Sequence, residues 1–175
     1  MTHFPDGKLY IDGKLREAAG GAKYEDINPW DGEVVGYAAD GSAADMEEAI
    51  AAARRAFDES EWTTNKALRR ELVWKLCLKL RENRDRLADM AVNEGGAALG
   101  GVAFAHVDRP LSFFEKLFEM FDRMEWETVL GVAGMPGYMS QRTVIKEPAG
   151  VVGAIIPWKG PFYITLGKVI PAPLA

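Results

Sequence analysis

Few side chains in these 175 residues have a type and setting suited to chemistry. The one cysteine, Cys77, lies in Val73-Trp74-Lys75-Leu76-Cys77-Leu78, midway along a stretch with helical periodicity. A thiol attacks as the thiolate and only where it can be reached, and an apolar helix interior denies both conditions. Cys77 therefore reads as structural. The two histidines, His3 and His106, together with one cysteine, form no recognisable metal-ligand spacing. His3 falls in an N-terminal tail expected to be disordered. His106 precedes Asp108 at an expected helix start, where a carboxylate could orient it as a base; a solvated or hydrogen-bonded structural histidine fits the same pattern. Glu125-Trp126-Glu127 offers two carboxylates, but so close in the chain they project apart and read as solvated. That leaves Lys159, in the corner Pro157-Trp158-Lys159-Gly160.

The stretch 150–171, GVVGAIIPWKGPFYITLGKVIP, sets that corner in context. Its apolar run at 151–156 lacks alternation and is bounded by Gly and Pro. This predicts a strand buried on both faces, as in a parallel sheet covered by helices. Pro157 cannot donate to a ladder and ends the strand. Pro161 suits a first helical position, and Phe162, Leu166 and Val169 follow on one helical face. Strand, corner and helix make half of a βαβ unit, and in such sheets ligands sit at the carboxyl ends of strands. Here that end is Ile156-Pro157-Trp158-Lys159.

The same residues carry a resemblance. GVVGAIIPWKGPF followed by GKVIPAPLA, with Thr143-Val144-Ile145-Lys146-Glu147-Pro148-Ala149-Gly150 before it, resembles the aldehyde dehydrogenase superfamily. Members of that superfamily show a similar strand, a Pro-Trp-Asn corner and a helix leading to Pro-Ala-Leu-Ala. Three departures stand out: Lys159 replaces the family's Asn, Pro173 interrupts Pro-Ala-Leu, and the sequence ends at Ala175, before most of the family's active site.

The resemblance implies the N-terminal part of an enzyme that oxidises an aldehyde to a carboxylic acid with NAD or NADP. In that chemistry a cysteine attacks the carbonyl, hydride passes from the thiohemiacetal to the nicotinamide, and a glutamate activates water. It further implies that Ile155, Ile156, Pro157 and Trp158 line the adenosine side of the cofactor. Lys159 then occupies the position of the Asn that donates to the developing oxyanion, a kind of donor whose loss costs about 10²–10³ in rate. An ammonium can donate there on a longer, more flexible stem. It could also condense with aldehydes once deprotonated in a dry pocket, or stand free on the surface. The nucleophile and the general base lie downstream in the family, so the isolated chain is expected to be inactive. The alternative from another class is a non-catalytic binding or assembly module. A strand without neighbours would leave apolar surface and unpaired edge groups, favouring self-association or a completing polypeptide.

The elements that must position the corner follow from local signals. Asp12-Gly13 between Lys8–Ile11 and 14–17 signals a hairpin. Extended pieces at 23–27 and 34–38 flank an Asn-Pro…Asp-Gly turn. Ser42 and Asp45 form a capping box ahead of a helix whose Met46, Ala49, Ile50, Ala53 and Phe57 share one face. A longer helix is predicted over 66–92, with Leu68, Leu72, Leu76, Leu80, Leu87 and Met90 inward and Glu94-Gly95-Gly96 closing it. The glycine-rich 95–101 follows a helix, lacks G-x-G-x-x-G and reads as a helix–helix connector. A third helix starts at Asp108-Arg109-Pro110, with Leu111, Phe114, Leu117, Phe118 and Phe121 inward. Residues 131–137 break the helical pattern and 138–146 look extended, which by resemblance belongs to an oligomerising strand pair.

The expected class is α/β: N-terminal antiparallel strands, three helices, then a strand entering a parallel Rossmann-like sheet. Three units are expected: residues 1–124, the N-terminal part of the cofactor-binding domain; 125–148, an oligomerisation segment; and 149–175, the start of a parallel-sheet unit. A net charge of −5 argues against nucleic-acid or anionic-membrane partners. No apolar run approaches the ~20 residues of a membrane span, and no secretory signal is visible. A single cysteine agrees with a reducing, cytoplasmic setting.

Overall fold

A computed structural model describes residues 3–96 and 98–175. Where the sequence predicts a free tail, the Phe4 N–H donates to the Val35 carbonyl at 2.7 Å and the Gly7 N–H to the Tyr37 carbonyl at 2.7 Å. Phe4 is thereby buried. Strands β1 (Leu9–Ile11) and β2 (Lys14–Arg16) pair antiparallel. Asp12 and Gly13 both take positive φ, 53° and 74°, the geometry a two-residue hairpin turn requires. Strands β3 (Lys23–Ile27) and β4 (Val34–Ala39) also pair antiparallel, closed by the turn in which Asn28 Oδ1 accepts the Trp30 N–H at 2.9 Å.

Helix α1 (Ala43–Glu59) begins with the predicted capping box. Ser42 Oγ accepts the Asp45 N–H, and the Asp45 carboxylate accepts the Ser42 N–H at 2.9 Å. That carboxylate also takes the Ala19 N–H at 3.0 Å and Arg16 at 2.8 Å, tying β2 to the helix start. The face holding Met46 and Ile50 does not pack inward as expected; both side chains are exposed.

The single helix predicted over 66–92 is two helices, α2 (Lys66–Glu82) and α3 (Arg84–Gly95), parted at Asn83. Asn83 leaves the helical region at φ −97°, ψ 14°, and its amide Nδ2 donates to the Lys79 carbonyl at 2.8 Å. This is the competition by which Asn interrupts a helix. The inward face of α2 is Arg69, Val73 and Cys77, whereas Leu72 and Leu76 are exposed. Helix α3 ends on Gly96 at φ 64°, the left-handed cap predicted from Gly95-Gly96.

The 95–101 connector does join two helices; Ala97 within it lies outside the described residues. A helical run follows, comprising α4 (Leu99–Val102), a π-helical segment (Ala103–Asp108), α5 (Arg109–Ser112) and α6 (Phe114–Asp122). Leu111, Phe114, Phe118 and Phe121 turn inward as predicted and join Val73, Cys77, Ala88 and Val107 in the core. Trp74 meets Phe118 edge to face at 4.9 Å.

Strands β5 (Glu127–Met135) and β6 (Tyr138–Ile145) form an antiparallel hairpin, so the helical pattern does break at 131–137 and the extended piece expected at 138–146 is β6. Residues 151–156 depart from expectation. They form no strand, and Ile155 is 88% exposed. A strand covered on both faces needs ladder neighbours, and every sheet among the described residues is a two-stranded antiparallel pair. Helix α7 (Pro161–Val169) starts on Pro161 as predicted. It is followed by α8 (Pro171–Leu174), and the buried face of this pair is Leu166, Ile170 and Leu174; Val169 points outward. The observed class is thus mixed α and β, as expected, with the aromatic core held by the helices. No described helix is long and apolar enough to cross a membrane.

Candidate functional site

The corner 157–160 reaches the helical core through Gly160, which caps α7 in the left-handed region at φ 56°, ψ 50°. A side chain here would be strained by that backbone, and its Cβ would come within 3.4 Å of His106 Nδ1. The corner is therefore held against the π-helical segment, and two clefts meet on it. The first, about 460 Å³, runs between α3 and α7 and is lined by Leu87, Met90, Glu94, Trp158, Lys159 and Phe162 among others. The second, also about 460 Å³, lies between the π-helical segment and α7, with Ala105, His106, Arg109, Lys159, Tyr163 and Ile164 on its walls. His106 and Lys159 border both.

Of the residues singled out from sequence, Pro157, Trp158 and Lys159 are exposed and Ile156 is half-buried. Trp158 is 94% exposed, so it and Ile155 offer apolar surface to whatever docks there. Lys159 has no carboxylate within 4.0 Å among the described residues. His106 lies inside the π-helical segment instead of ahead of a helix. Asp108 does not orient it: both Asp108 carboxylate oxygens accept from Arg84 at 2.7 Å, and that pairing holds Asp108 below its usual range. Cys77 is buried as predicted, and burial pushes its thiol up to about 11, which leaves it inert. Glu125 and Glu127 are exposed. No cluster of three or more His, Cys, Asp or Glu among the described residues could hold a metal ion.

Glu94 is the member of the site that sequence reasoning used only as a helix end. The residue as a whole is exposed, yet burial of its carboxyl, reinforced by the Asp26 carboxylate beside it, pushes it up to about 7. Asp26 comes from β3, so no local pattern around Glu94 announces the pair.

The profile of the aldehyde dehydrogenase family matches residues 15–175. The chain belongs to that family. It is 34% identical over 167 residues to aldehyde dehydrogenase family 2 member C4 of Arabidopsis thaliana, covering 94% of this chain and 32% of the relative. An aldehyde dehydrogenase of Mycobacterium tuberculosis complexed with NAD+ superposes with a TM-score of 0.89 at 28% identity, covering 99% of this chain and 35% of the other. Betaine aldehyde dehydrogenase of Staphylococcus aureus in complex with NAD+ gives 0.85 at 31% identity, covering 95% and 32%. The chain therefore spans about a third of the length of the relatives it matches.

Fit to a dinucleotide can be judged on the exposed edge. The 155–158 segment presents unpaired backbone and apolar side chains, which suit a flat adenosine. The glycine-rich 95–101 lies between helices and not after a strand, so it offers no strand–turn–helix for a pyrophosphate. A dinucleotide held at this edge would meet these residues on one side only.

Proposed function

We propose that these residues form the N-terminal part of an NAD- or NADP-dependent aldehyde dehydrogenase oxidising an aldehyde to a carboxylic acid. The observation that carries this reading is the Pro157-Trp158-Lys159-Gly160 corner, clamped to His106 on one side and open to solvent on the other. Ile155, Ile156, Pro157 and Trp158 would hold the adenosine side of the cofactor, which when bound supplies the hydride acceptor. Lys159 takes the position of an oxyanion donor. Its unpaired ammonium can place a proton toward a developing alkoxide, although its flexible stem fixes that proton less firmly than an amide would. Gly160 sets the approach of the corner to the π-helical segment, and Phe162 and Leu87 keep the inner wall of the first cleft apolar.

Within these 175 residues the only thiol is Cys77, and it is inert. By this reading the polypeptide taken alone performs no oxidation, because transition-state stabilisation needs nucleophile, base and oxyanion donor assembled together. Titration with NAD+ and NADP+, followed by assay of NADH or NADPH formation on adding aldehydes, tests it. The expected result is no turnover by the polypeptide alone and turnover when a completing polypeptide carrying a Cys and a Glu is supplied. Turnover by the 175 residues alone would overturn the assignment.

The same reading treats 1–124 and 149–175 as parts of the cofactor-binding unit and places the protein in the cytoplasm. It also makes 125–148 an assembly segment. Support for that comes from the β5–β6 hairpin, which exposes Val132, Met135, Met139 and Ile145. A second reading, a non-catalytic module that pairs with a relative, draws on the same exposed residues together with Met46 and Ile50 of α1. Formation of a stable complex with a completing polypeptide that still yields no NADH would favour it.

A further inference from the structure

Resting on the aldehyde dehydrogenase reading, we infer that the second cleft selects an aldehyde that carries an anionic group at its other end, with Arg109 as the partner of that group. The cleft is lined by two cations, Arg109 and Lys159, and by His106, with no carboxylate on its walls among the described residues. In a chain of net charge −5, Arg109 thereby differs from the arginines that pair with carboxylates. Arg16 binds Asp45, Arg55 binds Asp12, Arg70 binds Asp122 and Arg84 binds Asp108.

Arg109 adjoins Asp108 in sequence, but Arg84 has claimed both of that carboxylate's oxygens. What Arg109 does meet is the Phe113 ring, 5.9 Å from its guanidinium carbon. Contact with a ring face uses the flat side of a guanidinium and leaves its N–H fork free. Two unneutralised cations on one cleft repel each other, and an anion entering between them relieves the repulsion. A planar fork binds a carboxylate through two parallel hydrogen bonds, which a point charge cannot do.

The division of labour follows from position. Lys159 belongs to the corner where the carbonyl oxygen is expected, and Arg109, from α5, lines the same cleft. Ala105, Tyr163 and Ile164, which line the cleft with them, supply apolar surface for a short carbon chain. The substrate class is therefore a short aldehyde with a terminal carboxylate. Arg109 is a specificity-determining residue that does not touch the reacting atoms.

Calorimetric titration of the 175-residue chain with succinic semialdehyde, butanal and glutarate tests this. Succinic semialdehyde is expected to bind about tenfold tighter than butanal, the ratio a hydrogen-bonded charge supplies, and to lose that advantage at high salt. Arg109→Gln should erase the advantage, bringing the ratio of the two affinities to about one. Arg109→Lys, which keeps the charge without the fork, should retain part of it, and circular dichroism of both variants confirms that they are folded. Equal binding of the two aldehydes overturns the inference while leaving the aldehyde reading standing. Glutarate binding as well as the semialdehyde, with butanal not binding, keeps the anion site and removes the aldehyde reading. An anion preference that survives Arg109→Gln, or no saturable binding of any probe, overturns the inference.

Discussion

Replacing Arg69 with methionine keeps much of the side-chain length on the inner face of α2 and removes its guanidinium. Arg69 is only 1% exposed and has no carboxylate partner among the described residues. Its Nη1 donates to the Trp62 carbonyl at 2.7 Å and the Thr63 carbonyl at 3.2 Å, and its Nε donates to the Leu174 carbonyl at 3.3 Å. The one bond from Nη2, to the Ala175 carbonyl at 3.4 Å, is longer and contributes less. Burial holds the guanidinium below its usual pKa, which measures the cost of keeping a charge inside. Methionine recovers that cost but strands the carbonyls, at about 1–3 kcal/mol for each that water cannot reach. The Trp62–Thr63 segment is partly exposed and can rehydrate, whereas Leu174 is buried. The expected net loss is therefore about 2 kcal/mol, nearer one stranded carbonyl than three. Urea unfolding followed by tryptophan fluorescence reads it, since Trp62, Trp74 and Trp126 all border the core. With a slope of about 2 kcal/mol/M, the midpoint should fall by about 1 M. Amide exchange should show the loss concentrated at α8 and the start of α2. An unchanged midpoint, or protection at α8 equal to wild type, would refute the view that Arg69 fastens these two chain segments together.

Two further outcomes concern pH. Asp45, held down from its ordinary 3.8 to about 2 chiefly by the Ser42 and Ala19 N–H groups, contributes stability that is complete above pH 3.8. That contribution is lost as pH falls through about 2, so the stability gap between wild type and Asp45→Asn should be constant above pH 4, by about that margin, and narrow below it; a gap independent of pH would contradict this. Glu94, raised from 4.5 to about 7 by burial and then Asp26, has the opposite sign. Its contribution is present below pH 4.5 and lost as pH rises through about 7, and Glu94→Gln should remove that decline. Carboxyl-carbon NMR showing Glu94 titrating at its ordinary value would refute it.

What the sequence made legible was whatever is decided within a few residues. The Asp12-Gly13 hairpin, the Ser42–Asp45 box, the Gly96 cap, the Pro161 start and the aromatic stripe from Leu111 to Phe121 all depend on local backbone preference or on periodicity. The phase of α2 was not local. A leucine stripe through Leu72 and Leu76 reads as the inner face, but the carbonyls of Trp62, Thr63 and Leu174 draw Arg69 inward and rotate Val73 and Cys77 with it. Asn83 resembles any polar residue on a helix exterior until its amide takes a carbonyl from the preceding turn. At 151–156 the composition describes what the segment needs, two covered faces and ladder neighbours, and not what surrounds it here. The helix start that closes the corner, Pro161, was legible. The walls facing the corner, Glu94 in the first cleft and His106 and Arg109 in the second, depend on long-range folding that no spacing encodes.

The helical core bears on assembly. Its members, from Val73 to Leu174, close on one another without any side chain from 151–156. The aromatic cluster therefore holds α7 in place without help from the preceding apolar stretch. A finished interior thus stands beside an exposed apolar stretch, where the choice of neighbour decides between productive pairing and clumping.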